Sequence, residues 1–325
     1  MTALNRIAIL GAGPSGLAAA KALKMETAGL DVDVYERKSS IGGVWCYDPD
    51  LKAAVFLPCL PLIRTEQTCL EKRGSARVLD RGVNNLVSME SRQNRFDAVI
   101  VANGHNELPY IPDVPGLRKW NLADRDSVTH SKFYVDAKPY REKNVLVVGN
   151  YASGGALATQ IGVVASTVHV STTAESLPES KVEHIRYHRV VHKYDVATRC
   201  ATFQGGDTVS NLDYIVFCTG YLYSLPFLEE FLPGIADGKF VKDLYRHIFY
   251  TRDPTLAFVG LDKFVSPFPY SESQGAVIAS MFSGKIQFPD GRFLQSAYAA
   301  ELFSRQYPKE FYNLSNIDYT YCNDL

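Results

Sequence analysis

The chain alternates short apolar runs with glycine-rich turns and with segments of helical length. Its first such stretch is IAILGAGPSGLAAAKAL, in which an apolar run at residues 7–10 precedes a glycine-rich turn and a helix-forming segment. A short continuous apolar run is typical of a strand that is buried on both faces of a parallel sheet. A second stretch of the same design, NVLVVGNYASGGALATQI, begins at Asn144. The pattern therefore predicts two strand–turn–helix units.

The first turn has the spacing of a dinucleotide-binding fingerprint. Gly11 allows a tight turn, Gly13 leaves room for a pyrophosphate beside the backbone, and Gly16 lets the helix pack closely on the strand. Pro14 suits the first helical turn, because its missing N–H is no loss there. The next strand, DVDVYE, ends in Glu36, a carboxylate where a ribose hydroxyl is expected. This acid disfavours a 2′-phosphate and favours FAD or NAD. The alternative is a glycine turn in another kind of α/β protein.

The second turn departs from the fingerprint at two places. Gly149 and Gly154 match the outer glycines, but Tyr151 stands at the middle position. The strand after the helix, TVHVS, ends without an acid or an arginine. Hydroxyl groups near its end are available to bond a phosphate, namely those of Ser171, Thr172 and Thr173. The turn predicts a second nucleotide site, and a βαβ unit that has lost its nucleotide is the alternative.

Two later segments repeat one another and indicate two related domains. FDAVIVANGH, residues 96–105, and LDYIVFCTGY, residues 212–221, align position by position, each with an Asp, a buried strand and a turn containing glycine. The proline-rich segment at 108–116 is expected to be an extended connector. Further on, TLAFVGL predicts one more buried strand. Ser271 and Gln274 then have capping-box spacing, so a helix is expected to start there.

Composition limits the class of protein. The 325 residues exceed what one core usually serves, so we expect two domains or one domain with an insertion. The net charge is −1 without a long charged block, which gives no attraction for nucleic acid or an anionic membrane. The six cysteines lack CxxC spacing and are expected to be free thiols. With no signal peptide and no apolar run long enough to span a bilayer, we expect a cytoplasmic protein without a membrane anchor.

Together these segments resemble the flavin-containing monooxygenase family, and most of all its fungal members. The matching pieces keep their order along nearly the whole chain: GAGPSGLAAAKAL, VYERKSSIGGVW, VIVANGH, PYIPDVPGL, HSKFY, NVLVVGNYASGG, CTGY and PFPYSESQGA. The resemblance implies an α/β fold of two doubly wound Rossmann-like dinucleotide-binding domains, the second inserted in the first. The FAD-binding domain would be split, with residues 1–134 and 217–325, and the NADP-binding domain would be inserted at 138–216.

The resemblance also implies the chemistry. Members of the family use FAD, NADPH and O2 to oxygenate a soft nucleophile, sulfur or nitrogen, of a small-molecule substrate through a flavin hydroperoxide. The cofactor carries that chemistry, so no catalytic side chain is assigned. By resemblance, Gly42, Gly43 and Trp45 lie along the FAD and Gln274 lies near its ring. The residues expected to bind the cofactors are Gly11, Gly13, Pro14, Ser15, Gly16, Glu36, Arg37, Gly43, Val44, Trp45, Gly149, Asn150, Ser153, Gly154 and Gln274.

One departure from the family pattern is a missing segment. Only 56 residues separate Trp45 from Ala102, where the family carries a longer stretch. That stretch supplies FAD contacts and an asparagine near the reactive face of the flavin. The interval here contains Asn84 and Asn85, but neither has a recognisable context. We therefore expect a shortened family member with a reduced or altered active site.

A second departure precedes the second turn. His130 and Tyr134 fit the family's fingerprint there, but Asp124 and Asp126 stand where Phe and Gly are expected. Two alternatives to the monooxygenase stay open: a catalytically silent flavin- or nucleotide-binding protein, and ketone oxygenation of the Baeyer–Villiger type. A dithiol/disulfide flavoprotein reductase would need a redox cysteine pair, and CxxC is absent. The sequence leaves the substrate, NADPH versus NADH and the oligomeric state open.

Three histidines, His184, His188 and His192, recur every fourth residue and would share a face on a helix. Their segment is rich in β-branched and aromatic residues, which favours strand or irregular chain, and no cysteine or carboxylate completes a ligand set. No metal is therefore expected. The basic residues nearby are interpreted either as a solvated edge or as charge for a nicotinamide 2′-phosphate, and they are Lys181, Arg186 and Arg189.

Overall fold

The computed structural model describes residues 4–26, 29–46, 70–72, 76–80, 92–180, 182–305, 311–315 and 317–325. These residues form nineteen strands and six α-helices. The strands are β1 (Arg6–Leu10), β2 (Asp31–Tyr35), β3 (Leu70–Lys72), β4 (Ala76–Asp80), β5 (Arg92–Phe96), β6 (Ala98–Val101), β7 (Leu108–Pro109), β8 (Val128–His130), β9 (Asn144–Val148), β10 (Thr167–Ser171), β11 (Ile185–His188), β12 (Val191–Asp195), β13 (Cys200–Phe203), β14 (Thr208–Val209), β15 (Tyr214–Phe217), β16 (Tyr221–Leu222), β17 (Leu244–Tyr245), β18 (Phe249–Tyr250) and β19 (Leu256–Phe258). The helices are α1 (Pro14–Glu26), α2 (Leu117–Ala123), α3 (Ala152–Gly162), α4 (Pro267–Phe282), α5 (Gly291–Ser304) and α6 (Asp318–Asp324).

The described residues separate into two compact units. Unit 1 contains the described residues up to 108 and those from 222 to 325, and unit 2 contains residues 109–221. The expected insertion of a second Rossmann-like unit in the first is confirmed. Unit 2 also contains residues outside the expected 138–216, among them β8 at 128–130, which pairs with β15 in its sheet.

Unit 1 is built on a six-stranded sheet in the order β17-β18-β19-β6-β1-β2. The pairs β19–β6, β6–β1 and β1–β2 are parallel. Successive residues of a strand point to opposite faces, and both faces of this sheet are covered by apolar side chains. One face carries Ala8, Leu10, Val99 and Val101, and the other carries Ile7, Ile9, Ala98 and Ile100. The uninterrupted apolar runs in the sequence are explained by this two-sided burial.

Unit 2 repeats this design with a five-stranded sheet in the order β11-β10-β9-β15-β8, in which every neighbouring pair is parallel. Helix α3 packs against β9 and β10. A separate antiparallel sheet, β12-β13-β14, follows β11. The strand that precedes the second glycine-rich turn, β9, therefore has a strand on each side, as β1 has in unit 1.

The internal repeat of the sequence has a structural counterpart. In unit 1, the Asp97 carboxylate accepts a hydrogen bond from the backbone N–H of Arg6, with 2.9 Å between Oδ2 and N. In unit 2, the Asp213 carboxylate accepts one from the backbone N–H of Asn144, also at 2.9 Å. Each aspartate thus ties the start of one strand, β6 or β15, to the start of the strand that precedes the glycine-rich turn, β1 or β9. Both glycine-rich turns lie at the opposite, carboxyl ends of these strands.

The helix expected to start at Ser271 starts earlier. Helix α4 begins at Pro267 with Ser266 as its N-cap, so Ser271 and Gln274 lie inside the helix and are buried. Proline is tolerated in the first turn of a helix, where the N–H that it lacks has no partner within the helix. Among the described residues, no helix combines the length and the apolar character that crossing a bilayer requires.

Candidate functional site

In the first turn, the packing of the protein itself requires two of the three glycines. Gly11 has a φ of 111°, and a Cβ built on it would lie 2.4 Å from the carbonyl oxygen of Ala102. A Cβ on Gly16 would lie 1.9 Å from the carbonyl oxygen of Gly11. The backbone N–H of Gly11 donates to the carbonyl of Tyr35 at 2.8 Å. The turn is therefore locked between β2 and the end of β6.

Gly13 is different, because no contact within the protein requires it. The nearest atom to a Cβ on Gly13 would be the Cα of Gly43, at 3.7 Å, an ordinary contact distance. Gly43 has a φ of 59° and faces Gly13 in turn. The backbone N–H of Gly42 donates to the carbonyl of Ala12 at 2.9 Å, which fixes the short 3-10 turn Gly43–Trp45 beside the glycine-rich turn. Two facing glycines leave a bare backbone cradle that fits a pyrophosphate at the start of α1.

Glu36 lies where the sequence predicted it, directly after β2. Its Oε2 accepts a hydrogen bond from the backbone N–H of Ala12 at 2.8 Å, and its Oε1 accepts one from the backbone N–H of Lys38 at 2.9 Å. A carboxylate offers about four acceptor positions. The carboxylate therefore holds the turn in shape and keeps acceptor positions that fit ribose hydroxyl groups.

The other residues expected along the flavin form a partly exposed surface next to the cradle. Val44 is 71% exposed and Trp45 is 61% exposed, and the ring of Trp45 lies 5.0 Å from the ring of Phe268. Arg37 makes an exposed ion pair with Glu107 at 3.2 Å. Large apolar side chains in contact with solvent beside a glycine cradle fit the flat, apolar part of a cofactor.

A loop at residues 259–263, here called the Gly260 loop, packs against the first turn of α1. A Cβ on Gly260 would lie 2.3 Å from the Oγ of Ser15, and Ser15 Oγ lies 3.1 Å from Ser271 Oγ. The Nδ1–H of His105 donates to the carbonyl of Gly260 at 3.0 Å. Burial lowers the pKa of His105, which favours the neutral ring. Ser15, which was expected to bind the cofactor, thus also contacts this loop.

Gln274 lies behind the Gly260 loop with its side chain fully buried. Its Oε1 accepts from the backbone N–H of Gly260 at 2.9 Å. Its Nε2 donates to the hydroxyl oxygens of Tyr270 at 2.6 Å and Tyr321 at 2.9 Å. Both amide hydrogens and the oxygen therefore have partners inside the protein. The expected place of Gln274 near the flavin ring stays a prediction, and its side chain acts on the loop.

Sequence reasoning missed the polar side chains that continue this chain of hydrogen bonds, here called the buried network: Tyr270, Tyr321, Asp262, His247 and Glu301. The hydroxyl of Tyr270 donates to the Asp262 carboxylate. His247 lies 2.6 Å from Asp262 through Nδ1 and 3.0 Å from Glu301 through Nε2. The one signal in the sequence is an Asp directly after the buried strand TLAFVGL, at the carboxyl end of a parallel sheet.

The charge of His247 is set by its two carboxylate partners. Burial alone would lower the pKa of His247, but the charge of Asp262 and hydrogen bonds to Asp262 and Glu301 overcome burial and raise the pKa to about 9. Burial also raises the pKa of Tyr270 well above its usual value, and the Asp262 charge adds to this effect. The cluster at neutral pH therefore holds an imidazolium between two carboxylates, with a neutral phenol beside them.

The second turn has the same backbone geometry as the first. Gly149 has a φ of 104°, and its backbone N–H donates to the carbonyl of Ser171 at 2.9 Å. A Cβ on Gly149 would lie 2.6 Å from the carbonyl oxygen of Cys218, and one on Gly154 would lie 1.9 Å from the carbonyl oxygen of Gly149. Cys218 thus holds the place in unit 2 that Ala102 holds in unit 1.

Two of the hydroxyl groups that the sequence offers to a phosphate in unit 2 have backbone partners in the structure. Tyr151, the N-cap residue of α3, is 70% exposed. Ser171 donates its hydroxyl to the carbonyl of Arg189 at 3.1 Å, and Thr172 Oγ1 accepts from a backbone N–H at 3.2 Å, so both hydroxyls already have backbone partners. Thr173 is exposed, and Asn150 and Ser153 flank the turn at the start of α3.

Of the two positions that depart from the family pattern, Asp124 has a structural partner. Asp124 forms an ion pair with Arg199 at 2.8 Å, and a hydrogen bond from Arg199 lowers the pKa of Asp124. The guanidinium of Arg199 lies 5.1 Å from the ring centre of Trp120. His130 is buried, and its Nε2–H donates to the carbonyl of Gly220 at 3.1 Å while Nδ1 accepts from a backbone N–H. Burial lowers the pKa of His130 to about 4, which matches this neutral tautomer.

The histidine segment forms strands, as its composition predicted. His188 ends β11 and lies 2.9 Å from Nδ1 of His169 through Nε2, while His192 lies in β12. Within the described ranges, no three His, Cys, Asp or Glu side chains converge as a metal site. Arg186 and Arg189 are exposed, whereas Asn84, Asn85 and Lys181 lie outside the described residues. The cysteines that the structure describes carry free thiols, and they are Cys46, Cys200, Cys218 and Cys322.

Comparison with known proteins places this geometry among flavin enzymes. A family model described as flavin-binding monooxygenase-like matches residues 65–190 and 183–321, and one described as an NAD(P)-binding Rossmann-like domain matches residues 9–56. A thiol-specific monooxygenase of Saccharomyces cerevisiae is 29% identical, with 92% of this chain and 84% of the relative covered. A flavin-containing monooxygenase of Aspergillus flavus is 30% identical, with 75% of this chain and 55% of the relative covered.

The fold comparison agrees. The solved structure of the S-allyl-L-cysteine S-oxygenase of Allium sativum matches with a TM-score of 0.81 at 23% identity, covering 98% of this chain and 87% of that chain. The resemblance and the fold class read from the sequence are thereby confirmed. The alignment with the yeast protein has 373 positions although this chain has 325 residues, so that relative contains residues that this chain lacks.

Proposed function

The chain belongs to the flavin-binding monooxygenase-like family, and from that premise we propose that it uses FAD and NADPH to oxygenate the sulfur of a small thiol or thioether. As a family member it is a flavin-dependent monooxygenase with FAD and NADP as cofactors. The observation that carries the proposal is the pair of glycine-rich turns with one backbone geometry, at Gly11–Gly16 and Gly149–Gly154.

We assign FAD to the first turn and NADP to the second. The first turn supports FAD because the Gly13–Gly43 cradle is bare and because Glu36 keeps acceptor positions for a ribose that has no 2′-phosphate. The second turn has no acid after β10, so nothing there repels the 2′-phosphate of NADP. The domain assignment follows, with FAD in unit 1 and NADP in unit 2.

In this proposal the protein groups of unit 1 bind the cofactor and shield it from water, and they take no part in the reaction. The flavin, when bound, supplies the oxygen-transfer chemistry. Glu36 would hold a ribose, the cradle would hold the pyrophosphate, and the exposed faces of Val44 and Trp45 would cover the apolar part of the cofactor and exclude water. No side chain of unit 1 is assigned an acid or base role in this proposal.

Sulfur is proposed before nitrogen because two of the similar proteins have names that refer to sulfur. One is named a thiol-specific monooxygenase, and the other is named an S-oxygenase. A thiol or thioether sulfur is a soft, polarisable nucleophile, which is the kind of group that this chemistry oxidises. The substrate is therefore proposed to be a small thiol or thioether, and amines and ketones are the competing classes.

The test begins with an absorbance spectrum of the purified chain, followed by anaerobic addition of NADPH. We expect flavin bands that bleach with NADPH and then, in air, NADPH oxidation that a thiol or thioether panel accelerates more than matched amines and ketones. Products are identified by mass spectrometry: a thioether gains one oxygen as its sulfoxide, whereas a thiol gives a sulfenic acid that condenses with a second thiol to the disulfide and releases water. Faster turnover with amines or ketones would contradict the sulfur assignment, and absence of flavin bands after addition of FAD would contradict the monooxygenase.

One observation favours a second candidate, a flavin-binding protein that does not turn over. Tyr151 stands at the middle of the second turn, and the hydroxyls of Ser171 and Thr172 already have backbone partners. Fewer groups then remain for NADP in unit 2. Flavin bands that persist in the presence of NADPH, together with no measurable NADP binding by calorimetry, would support this candidate over the first.

A further inference from the structure

We propose that Tyr270, Asp262 and His247 act through Gln274 as positioning residues that hold the Gly260 loop against the flavin-binding turn. The proposal rests on the proposed function, because it takes the first turn to be the FAD site. It adds a role for side chains that lie behind the site and contact none of its exposed surface.

The location of the loop links it to the site. The Gly260 loop follows β19, which lies beside β6, and β6 lies beside β1. Because these strands are parallel, the loop and the glycine-rich turn emerge at the same edge of the sheet. A Cβ on Gly260 would lie 2.3 Å from Ser15 Oγ, so the loop backbone is in direct contact with the first turn of α1. A movement of Gly260 therefore acts directly on α1.

Side chains hold the backbone of this loop at three polar groups of two successive residues, Gly260 and Leu261. Gln274 accepts from the N–H of Gly260, His105 donates to the carbonyl of Gly260, and Tyr223 donates its hydroxyl to the carbonyl of Leu261 at 2.6 Å. A buried backbone group that loses such a partner is costly, so each side chain restrains the loop. Of the three, the amide of Gln274 has two ends that can exchange places.

The direction of the hydrogen bonds decides which end of Gln274 faces the loop. A phenol has one hydrogen to donate. Tyr270 gives its hydrogen to Asp262, and Tyr321 gives its hydrogen to the carbonyl of Arg246 at 2.8 Å. Both phenol oxygens are then left as acceptors for the amide hydrogens of Gln274. The amide oxygen is thereby directed to the N–H of Gly260, whereas a reversed amide would place two donors against each other.

Asp262 can serve as the fixed acceptor because His247 balances its charge. Asp262 is 2% exposed, and a buried carboxylate without a partner is strongly unfavourable. Nδ1 of His247 lies 2.6 Å from Oδ1 of Asp262, and Nε2 of His247 continues the hydrogen-bonded network to Glu301 on α5. His247 and its neighbour Arg246 have φ values of 56° and 49°, a conformation that residues other than glycine rarely adopt. A strained turn that is kept in place by buried hydrogen bonds is typical of a functional constraint.

The test compares two single hydroxyl deletions. Tyr270→Phe removes the hydroxyl that orients Gln274. The control Tyr312→Phe keeps the ring that packs against His247 and removes an equally buried hydroxyl, which donates to the carbonyl of Val241 and to no member of the buried network. Hydrogen–deuterium exchange of peptides covering 255–265 is measured in the FAD-free chain, and FAD affinity is measured by titration. We expect about tenfold faster exchange of these peptides and about tenfold weaker FAD binding in Tyr270→Phe than in the control.

Three outcomes would overturn the proposal. Equal exchange in the two variants would show that Tyr270 does not hold the loop. Faster exchange with unchanged FAD affinity would show that the loop does not position the cofactor. A wild-type chain that binds no FAD would overturn the proposed function itself, and with it the link to the flavin, while the exchange data still report on the loop.

A second variant covers the case in which Tyr270→Phe does not fold. Tyr321→Phe removes the other hydroxyl that accepts from Gln274, on α6. About threefold faster exchange and weaker FAD binding are expected, because Tyr270 still orients one amide hydrogen. Peptides from unit 2 serve as an internal reference in both variants, and faster exchange there would attribute the effect to general destabilisation and overturn the proposal.

Discussion

The Glu36 carboxylate accepts a hydrogen bond from the backbone N–H of Ala12, with 2.8 Å between Oε2 and N. The residue expected to bind a ribose therefore also holds the glycine-rich turn in its binding conformation. Recognition of the sugar and the shape of the pyrophosphate cradle are linked through one side chain. Loss of that side chain would affect both.

Replacement of Glu36 by Gln is expected to weaken FAD binding by about tenfold. In Glu36 each carboxylate oxygen accepts from one backbone N–H, that of Ala12 or that of Lys38. A glutamine side chain has only one acceptor oxygen, so one of these two N–H groups faces its NH2 group instead. The turn then loses one bond and the ribose loses a charged acceptor. Fluorescence titration with FAD measures the effect, and Glu230→Gln, which alters an exposed carboxylate elsewhere in unit 1, is the control. Equal affinities of the two variants would contradict the assignment.

Replacement of Gly13 by Ala is expected to preserve the fold and to weaken FAD binding by at least tenfold. The added methyl meets only the Cα of Gly43 at 3.7 Å, so the free energy of unfolding should change by less than about 1 kcal/mol. The methyl would occupy the cradle and hinder the pyrophosphate. Calorimetry and FAD titration measure the two effects separately.

Two other glycines give the reference points for that variant. Gly291→Ala introduces a methyl into open space and should leave FAD affinity unchanged. Gly16→Ala places a methyl 1.9 Å from a carbonyl oxygen, so little folded protein is expected. An FAD affinity of Gly13→Ala equal to that of Gly291→Ala would refute the cradle.

Replacement of Tyr151 by Gly is expected to tighten NADP binding by about tenfold. The change restores the middle glycine of the fingerprint, and glycine is well tolerated at the N-cap of a helix. Val163→Ala, at the other end of α3, removes a different exposed apolar side chain and is the control. Isothermal titration of NADP gives both affinities. Weaker binding in Tyr151→Gly would mean that the ring contributes to the site instead of obstructing it.

Stability is expected to fall between about pH 6.5 and pH 9 because of His247. Its pKa is raised from 6.5 to about 9 in the folded chain, so the stabilisation is fully present below pH 6.5 and is lost as the pH rises through about 9. The shift corresponds to about 3 kcal/mol. The titratable groups that face the imidazole ring of His247 are Asp262, Glu301, Tyr312 and Tyr321. Two cations are also near: Arg246 precedes His247 in the sequence, and Arg305 pairs with Glu301.

Tyr312, Tyr321 and Glu301 do not titrate in the same interval. Burial raises the pKa of Tyr312 and of Tyr321 well above 10. For Glu301, burial acts in the opposite direction, but the hydrogen bond from His247 keeps the pKa below its usual range. Thermal unfolding of wild type and His247→Gln from pH 6 to pH 10 is the measurement. An alkaline loss of stability with the same slope in both proteins would assign the effect to other groups.

The sequence was informative where local geometry decides the structure. Apolar runs predicted β1, β6, β9 and β15, and the glycines at 11 and 149 indicated turns that need a positive φ. These features depend on a few neighbouring residues. The start of α4 was missed because capping-box spacing at Ser271 is a weaker signal than the prolines that precede it.

Features that depend on distant parts of the chain were not predicted. The place of residues 128–130 in the sheet of unit 2 depends on β8, a three-residue strand whose pairing with β15 has no periodic signal. The buried network joins residues 247, 262, 270, 301 and 321, which the topology brings together from five separate elements. A polar residue that is destined for the interior has no hydropathy pattern to distinguish it from one at the surface.

The contact of Cys218 with the second turn makes this thiol a natural reporter of motion. Its carbonyl and Cβ lie against Gly149 and Gly154, its side chain is buried, and burial raises its pKa to about 12. A buried thiol of this kind reacts with an alkylating reagent only while the end of β15 separates from the turn. The rate of alkylation at Cys218, compared with that at the less buried Cys200, therefore reports how often the end of β15 separates from the second glycine-rich turn. The measurement needs no substitution in the protein.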